Sequence, residues 1–251
     1  MSALYRAPEV VVLLVVLAVV VASLEFGFRL AKHVPVEEAQ FNRIATPILA
    51  LIGLVLAFSY SLAADRMADR RAANVQEVNS IGTFWLRTAL LPEPTRSAMR
   101  VRVRRYVDVH FEHRAAGIDE ARLRVLEREA EQLQKELWKL LMGEAQHTPE
   151  STMLLVTPAL NAMFDDTATA LAARENRLPD TLILFLFALV AAASFLAGYG
   201  RAPRHPVLWI ALAVVVGGVL AGLLDMDRPR RGLIVTDQTP FVRLRDSIQS
   251  D

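Results

Sequence analysis

The stretch Ile48–Ala64, ILALIGLVLAFSYSLAA, is followed directly by the charged run DRMADRR at residues 65–71. These 17 uncharged residues approach the roughly 20 that an α-helix needs to cross a bilayer. Pro47 is placed to begin the helix, with Thr46 as its N-cap. The abrupt change to acids and arginines predicts that one helix leaves the membrane and continues into a polar environment.

Three more apolar runs share this character and lie on both sides of a long charged segment. They are Val10–Leu24, which can be extended to Leu30, Thr181–Tyr199 and Val207–Leu224. The chain is 53% hydrophobic and yet 22% charged, and the charges avoid the four runs. We therefore predict an all-α integral membrane protein with transmembrane helices over about residues 9–30, 46–64, 180–200 and 206–224.

The first run has an alternative interpretation as a signal peptide, with Arg6 ahead of the apolar segment Val10–Val21. Apolar character resumes after Glu25 and continues to Leu30, beyond any cleavage point. Glu25 and Arg29 are spaced four residues apart and could pair at the membrane interface. We therefore prefer a spanning helix.

The four runs divide the chain in a two-plus-two arrangement. Residues 1–64 hold spans one and two, 65–178 a helical domain, 179–225 spans three and four, and 226–251 a C-terminal tail. Arginines are more frequent at the ends that face this domain (Arg66, Arg70, Arg71, Arg174, Arg177, Arg228, Arg230 and Arg231). The positive-inside rule thus places the domain and both termini on the cytoplasmic side of the membrane.

The domain between spans two and three is predicted to be a helical bundle. The second-span helix should continue to about Leu91, before Pro92 and Pro94. Further helices are expected at about 95–113, closed by Gly117, at about 118–144 and at about 149–177. The helix at about 118–144 has the 3-4-3-4-3 spacing of a packed helix, with Leu123, Leu126, Ala130, Leu133, Leu137 and Leu140 in the seam.

The second span has two distinctive faces. Gly53, Ala57 and Ser61 form a small-residue stripe, which allows close approach of another helix. Beside it an apolar face recurs every four residues, at Ala50, Leu54, Phe58 and Leu62. If several copies surrounded an axis, this face would form an apolar neck that gates by dewetting, with Asp65 and Arg66 at its mouth. The alternative is that the face meets lipid or another span, and spacing alone leaves both open.

Several polar groups elsewhere suggest weaker hypotheses. Asp225 and Asp227 end the fourth span and could pair with Arg228, Arg230 or Arg66 as a structural clasp onto the domain, with an ion site as the lesser alternative. The Arg100, Arg102, Arg104 and Arg105 cluster could bind anions or lipid headgroups. We favour a solvated face paired with acids of neighbouring helices.

Catalysis and cofactor binding have no candidate residues. The chain has no cysteine and none of the common nucleotide-binding or hydrolase motifs. His110 and His113 are spaced for one face of a helix, but no third ligand accompanies them, so we expect a polar helix face rather than a metal site. A net charge of +1 gives no reason to expect nucleic acid. We predict no enzyme, no cofactor and no metal.

Several short motifs carry a family resemblance, over about residues 45–245. They are IGLVLAFSYSLAADR at Ile52–Arg66, NSIG at Asn79–Gly82, LLP at Leu90–Pro92 and DRPRRGLI at Asp227–Ile234. Together they resemble the bacterial bestrophin-like domain family, which is named for its similarity to bestrophins. Bestrophins are pentameric anion channels, some with cation-selective bacterial relatives, and they share the two-plus-two layout.

The resemblance implies a function as well as a fold. It implies a homo-oligomeric, pentameric ion channel of the bacterial inner membrane, with inorganic ions and membrane lipids as its partners. It also implies that the channel conducts anions and that the second span forms its neck. Matched on Arg66, the neck positions fall on Ala50, Leu54 and Phe58, and Pro229 and Gly232 correspond to a turn after the last span. The acidic calcium-binding run of animal bestrophins is missing after the last span. The alternative function is a non-conducting scaffold whose helical domain docks a cytoplasmic partner.

Overall fold

The structure, a computed structural model, describes residues 8–117, 119–200, 206–228 and 237–250. Within these ranges the chain is all-α and has no strand. The α-helices are α1 Glu9–His33, α2 Glu38–Arg87, α3 Thr95–Ala115, α4 Glu120–Glu144, α5 Glu150–Glu175, α6 Asp180–Tyr199, α7 Pro206–Met226 and α8 Thr239–Ser250, with a short 3-10 helix at Thr88–Leu90. The predicted fold class is confirmed for this part of the chain.

Four segments are long and apolar enough to cross a membrane. They are Val10–His33, Glu38–Leu90, Glu150–Tyr199 and Trp209–Met226. The third segment includes α5 as well as α6, and each of the four predicted runs overlaps one segment. The number of candidate spans therefore agrees with the prediction.

The described chain forms two compact units. The first consists of residues 8–67 and 177–228, and in it α1 packs along α6 and α7. Val12, Val16, Val20 and Leu24 of α1 are all buried. Because these residues recur every four positions, one stripe of α1 packs against α6 and α7. The other faces of α1 are not covered by this contact.

Two glycines allow α1 and α6 to approach closely. A β-carbon added at Gly27 would lie 2.2 Å from the carbonyl oxygen of Phe195, and one added at Gly198 would lie 2.1 Å from that of Leu24. Both distances are far below van der Waals contact, so no larger residue fits without moving the backbone. Small residues permit this kind of close contact between membrane helices.

The second unit consists of residues 68–176 and 237–250. Its core is formed by side chains from α2, α3, α4, α5 and α8, including Phe84, Tyr106, Leu137, Leu160 and Phe241, all with 0% exposure. The helix that begins among the apolar residues of the first unit therefore contributes its C-terminal part to this core. The prediction of one continuous helix out of the second span is confirmed by α2.

The predicted seam of α4 is largely observed. Leu123, Leu126, Leu133 and Leu137 are buried, and Leu141 takes the last buried position in place of Leu140. The side chain of Asp119 caps the helix by accepting hydrogen bonds from the backbone N–H groups of residues 121 and 122, each at 3.1 Å. This capping satisfies donors that a helix N-terminus otherwise leaves unpaired.

One helix boundary differs from the prediction. α2 begins at Glu38, so Pro47 lies inside the helix and Thr46 is not its N-cap. Proline lacks the N–H that would bond the carbonyl four residues earlier, but long membrane helices tolerate this loss.

α8 was not predicted at all. It buries Phe241, Leu244 and Ile248 against the second unit, and this 3-4 spacing of apolar residues was the available signal.

Candidate functional site

One face of α2 packs into the apolar core of the first unit. Ile52, Leu56, Ala63 and Met67 are buried there, with 8% exposure or less. Ser59 is buried on the same side, and its hydroxyl donates to the carbonyl oxygen of Val55 at 2.8 Å. This spacing of three and four residues marks the side of the helix that is covered within a single chain.

The predicted neck residues lie on the uncovered side. Leu54 is 51% exposed, Phe58 68% and Leu62 41%, and Ala50 is exposed as well. In each candidate span we consider the most apolar 18 residues. Of these, 17% are buried within the chain in the span that contains α2, and 28–33% in the other three spans. α2 is thus the span least covered by its own chain.

The small-residue stripe is also uncovered. Gly53, Ala57 and Ser61 are exposed, and a β-carbon added at Gly53 would meet no atom of the described residues within 4 Å. The close helix contact within the chain is instead made by Gly27 and Gly198. Its sequence signal was present, since Ser23 and Ser194 stand four residues before these glycines in the same small-xxx-small pattern.

Asp227, one of the two acids of the predicted clasp, contacts a backbone N–H of the first unit. The predicted closure of the last span onto the helical domain stays a prediction. Asp227 is fully buried, and its two carboxylate oxygens accept the backbone N–H of Leu178 at 3.0 and 3.1 Å. Because Leu178 precedes α6, this contact joins the end of α7 to the approach to α6 within the first unit. Arg228 is buried beside it. The predicted Arg230 partner and the turn at Pro229 and Gly232 lie outside the described residues.

A further group of buried charges lies in the second unit and was not predicted. Glu77 of α2 has 0% exposure. Its Oε2 atom accepts hydrogen bonds from Arg114 of α3 at 2.8 Å and from Arg174 of α5 at 2.5 Å. Arg114 also donates to the side chain of Asn74, whose amide donates to the backbone carbonyl of Asp237 at 3.1 Å. One carboxylate therefore connects three helices.

Burial is the main cause of the pKa shifts in this cluster. It raises the pKa of the Glu77 carboxyl, an effect that Arg174 and Arg114 oppose. Burial and the nearby Arg174 lower the pKa of Arg114 to about 9, so the Arg114 guanidinium remains charged at neutral pH. With two cations donating to the same oxygen, the ionised form of Glu77 is the one that satisfies them.

His110 is the neutral member of the cluster. Its Nδ1 atom lies 3.5 Å from Oε1 of Glu77, and its ring lies 4.3 Å from that of Tyr106. Burial, with the positive charges of Arg174 and Arg114, holds the pKa of His110 well below its ordinary value. Our expectation of a polar helix face is wrong here, since His110 and His113 are 8% and 7% exposed. No cluster of metal-binding side chains occurs among the described residues.

Two arginines of the α3 cluster pair with acids of a neighbouring helix, as we favoured, and the other two contact an aromatic ring. Arg102 contacts Glu136 at 2.9 Å, and Arg105 contacts Glu129 at 2.6 Å. Arg100 and Arg104 lie over the ring of Trp85, at 4.7 and 5.1 Å from its centroid. The four arginines therefore make contacts between helices and do not form an open anion-binding site.

Comparison with known proteins places the chain in a family. The bestrophin-like domain matches residues 12–241. A bacterial bestrophin homologue from Klebsiella pneumoniae has the same fold, with a TM-score of 0.69, 14% identity and coverage of 96% of each chain. A single-residue variant of that homologue gives a TM-score of 0.68 at 11% identity, covering 97% of this chain and 98% of the other. No curated protein matches the sequence significantly. The match over residues 12–241 shows that the chain belongs to the bestrophin-like domain family.

Proposed function

We propose that this protein is a homo-oligomeric ion channel, pentameric and anion-conducting, in which α2 of each copy lines the pore. The proposal places the second unit and both termini on the cytoplasmic side of a bacterial inner membrane. Membership of the bestrophin-like family supports a channel in general. The resemblance to bestrophins supports the pentamer and the preference for anions.

The observation that carries the proposal is the uncovered face of α2. In a monomer surrounded by lipid, a stripe of small residues that faces the hydrocarbon would make no close helix contact and would not stabilise the protein. Gly53, Ala57 and Ser61 instead allow another helix to approach closely. Among the described residues, nothing lies within 4 Å of a β-carbon added at Gly53. We infer that α2 helices of other copies fill this space.

Once the stripe is in contact with a neighbouring copy, the adjacent face would turn toward the axis. Leu54, Phe58 and Leu62 would then form the neck, and Ala50 would widen it at one end. Rings of large apolar side chains block ions by dewetting when the bore is narrow. Asp65 and Arg66 follow the neck and would set the potential at its mouth. Asp225, Asp227 and Arg228 would hold the ends of α6 and α7 beside it.

A non-conducting scaffold is the second candidate, and one observation favours it. The second unit exposes large apolar side chains, with Leu86 at 69%, Leu154 at 67% and Leu155 at 48%. Exposed apolar residues of this kind can dock a partner. In that case the protein would be a monomer or dimer with no axial path.

The mass of the detergent-solubilised protein separates the two functions. A pentamer supports the channel, whereas a monomer cannot form the proposed neck. Ion flux in reconstituted liposomes then tests conduction, and reversal potentials in a chloride gradient test anion preference. Phe58→Ala should raise flux severalfold because it widens and wets the neck.

The matched control is Leu184→Ala. Leu184 lies on α6 and is 72% exposed, so the substitution removes a comparable exposed apolar side chain from another span. It should leave flux unchanged. A correctly assembled oligomer that conducts under no condition, in the wild type or in Phe58→Ala, would exclude the channel.

A further inference from the structure

The helix α2 extends well beyond its apolar run at the end opposite Asp65, which we call the outer end. It begins at Glu38, whereas the apolar run starts at Ile48, so about 15 Å of helix precede the run at 1.5 Å per residue. Arg43 lies in this part of α2 and is exposed. Because the sequence predicted that the helix begins at Pro47, the helical position of Arg43 follows only from the structure.

The covered side of α2 keeps its register across the proline. Ala45 is 3% exposed, Ile52 5% and Leu56 8%. These buried residues are separated by seven and then four positions, which is the spacing of one face of a continuous helix. Pro47 lies between the first two of them and does not displace the face.

Arg43 lies on the opposite, uncovered side. It stands two residues before the buried Ala45, and Ala50 and Leu54 likewise each stand two residues before a buried residue. Two residues correspond to about 200° around a helix. Arg43 therefore shares the exposed face of the predicted neck residues and lies about 16 Å along the axis from Leu54.

The charge of Arg43 is not neutralised within the described chain. Its guanidinium makes no hydrogen bond or ion pair with any described residue. Arg29, near the end of α1, instead pairs with Glu25 at 2.8 Å. Glu38 is the acid in the first turn of α2, but five residues separate it from Arg43, so it points about 140° away around the helix.

The two ends of the neck face thus differ in charge. At the inner end, Asp65 is exposed and Arg66 is half-exposed, so adjacent charges of opposite sign oppose each other. At the outer end, Arg43 places a single positive charge on this face. A charge of one sign beside a narrow path changes the local concentration of ions far more than a mixed pair does.

We propose that Arg43 is the residue that selects anions, at the outer end of the pore. The inference rests on the proposed channel, in which the side of α2 that carries Leu54 faces the axis. Five copies then place five guanidinium groups around the entrance to the neck. Such a ring concentrates anions and excludes cations, and rings of arginine or lysine serve this purpose in anion pores.

Arg43→Gln removes the charge and keeps a polar side chain. It is measured in the Phe58→Ala background, which should carry larger currents, by the reversal potential in a sodium chloride gradient across a planar bilayer. The permeability ratio of chloride to sodium should fall about two- to fivefold at low salt. The difference should shrink in about 1 M salt, where charges are screened within about 3 Å. Arg29→Gln is the matched control and should leave the ratio unchanged.

A cysteine variant tests the same charge in a channel that has already folded. The chain has no cysteine, so Arg43→Cys provides a single thiol. A methanethiosulfonate reagent that carries a trimethylammonium group forms a disulfide with this thiol and restores a positive charge, whereas the sulfonate reagent adds a negative one. Applied to the assembled channel, the first should raise the ratio of chloride to sodium permeability and the second should lower it. Arg29→Cys should respond to neither.

The results separate this inference from the channel itself. A conducting oligomer whose ion preference is the same in Arg43→Gln and in both modified forms of Arg43→Cys would overturn the inference and leave the channel standing. An equal effect of Arg29→Gln would do the same. A monomer, or an oligomer that never conducts, would exclude the channel and this inference with it.

Discussion

The carbonyl oxygen of Leu24 lies only 2.1 Å from the position that a β-carbon at Gly198 would occupy. Glycine is therefore required at Gly198 by the close approach of α1 rather than by an unusual backbone conformation. The reciprocal contact at Gly27 has the same origin. This crossing fixes how the first and third spans pack within one chain.

Gly198→Ala should destabilise the first unit. The added methyl group would push α1 and α6 apart, and overpacking of this kind costs about 1–3 kcal/mol. The measurement is the thermal unfolding midpoint of the detergent-solubilised protein. Gly218→Ala on α7 is the control, because a β-carbon there meets nothing within 4 Å. It should be neutral or mildly stabilising, and equal effects of both changes would contradict the assigned contact.

Gly53→Leu should act on assembly rather than on the fold of the single chain. The new side chain has free space within its own chain, but it would occupy the surface that we assign to a neighbouring α2. We expect the unfolding midpoint to change little and the oligomer to dissociate at higher protein concentration than the wild type. Light scattering across a dilution series measures this shift. An unchanged assembly would mean that the stripe faces lipid.

Glu77→Gln should be among the most damaging polar changes in the second unit. It leaves Arg114 and Arg174 buried or half-buried without their shared counter-charge, and loss of one partner of a buried ion pair costs about 3–5 kcal/mol. Chemical denaturation followed by circular dichroism gives the change in unfolding free energy. Glu129→Gln removes one of the two acids that pair with the partly exposed Arg105 and should cost under about 1 kcal/mol.

His110 should make stability depend on pH below neutrality. Its pKa is held well below 6.5 in the folded protein, so below about pH 6.5 the unfolded chain binds a proton that the folded chain does not. Stability should therefore be full above that pH and fall on acidification, by at most about 1.4 kcal/mol per pH unit for one proton.

The groups near His110 in the described structure are Glu77, Tyr106, His113, Arg114 and Arg174. His110→Phe removes one titrating group from this set, so its unfolding midpoint should fall less steeply between about pH 7 and 5 than that of the wild type. His33→Phe, at an exposed position on α1, is the control and should retain the wild-type slope. Parallel slopes for all three proteins would show that His110 titrates normally.

Periodic and local features were predictable from the sequence. The leucines of α4 recur on one face, and Gly117 ends α3 with a φ of 58°, a conformation that favours glycine. The Glu77 cluster was not predictable, because its arginines lie 37 and 97 positions away along the chain. Small-xxx-small patterns occur at both Gly53 and Gly198, and only the packing shows which one is used within the chain.

The position of α8 has a consequence for biosynthesis. Phe241 and Ile248 complete the core of the second unit, yet they follow α6 and α7 in the chain. A ribosome releases residues in order, so α3, α4 and α5 emerge long before the side chains that close their core. The core of the second unit can therefore be completed only after the last two candidate spans have been synthesised.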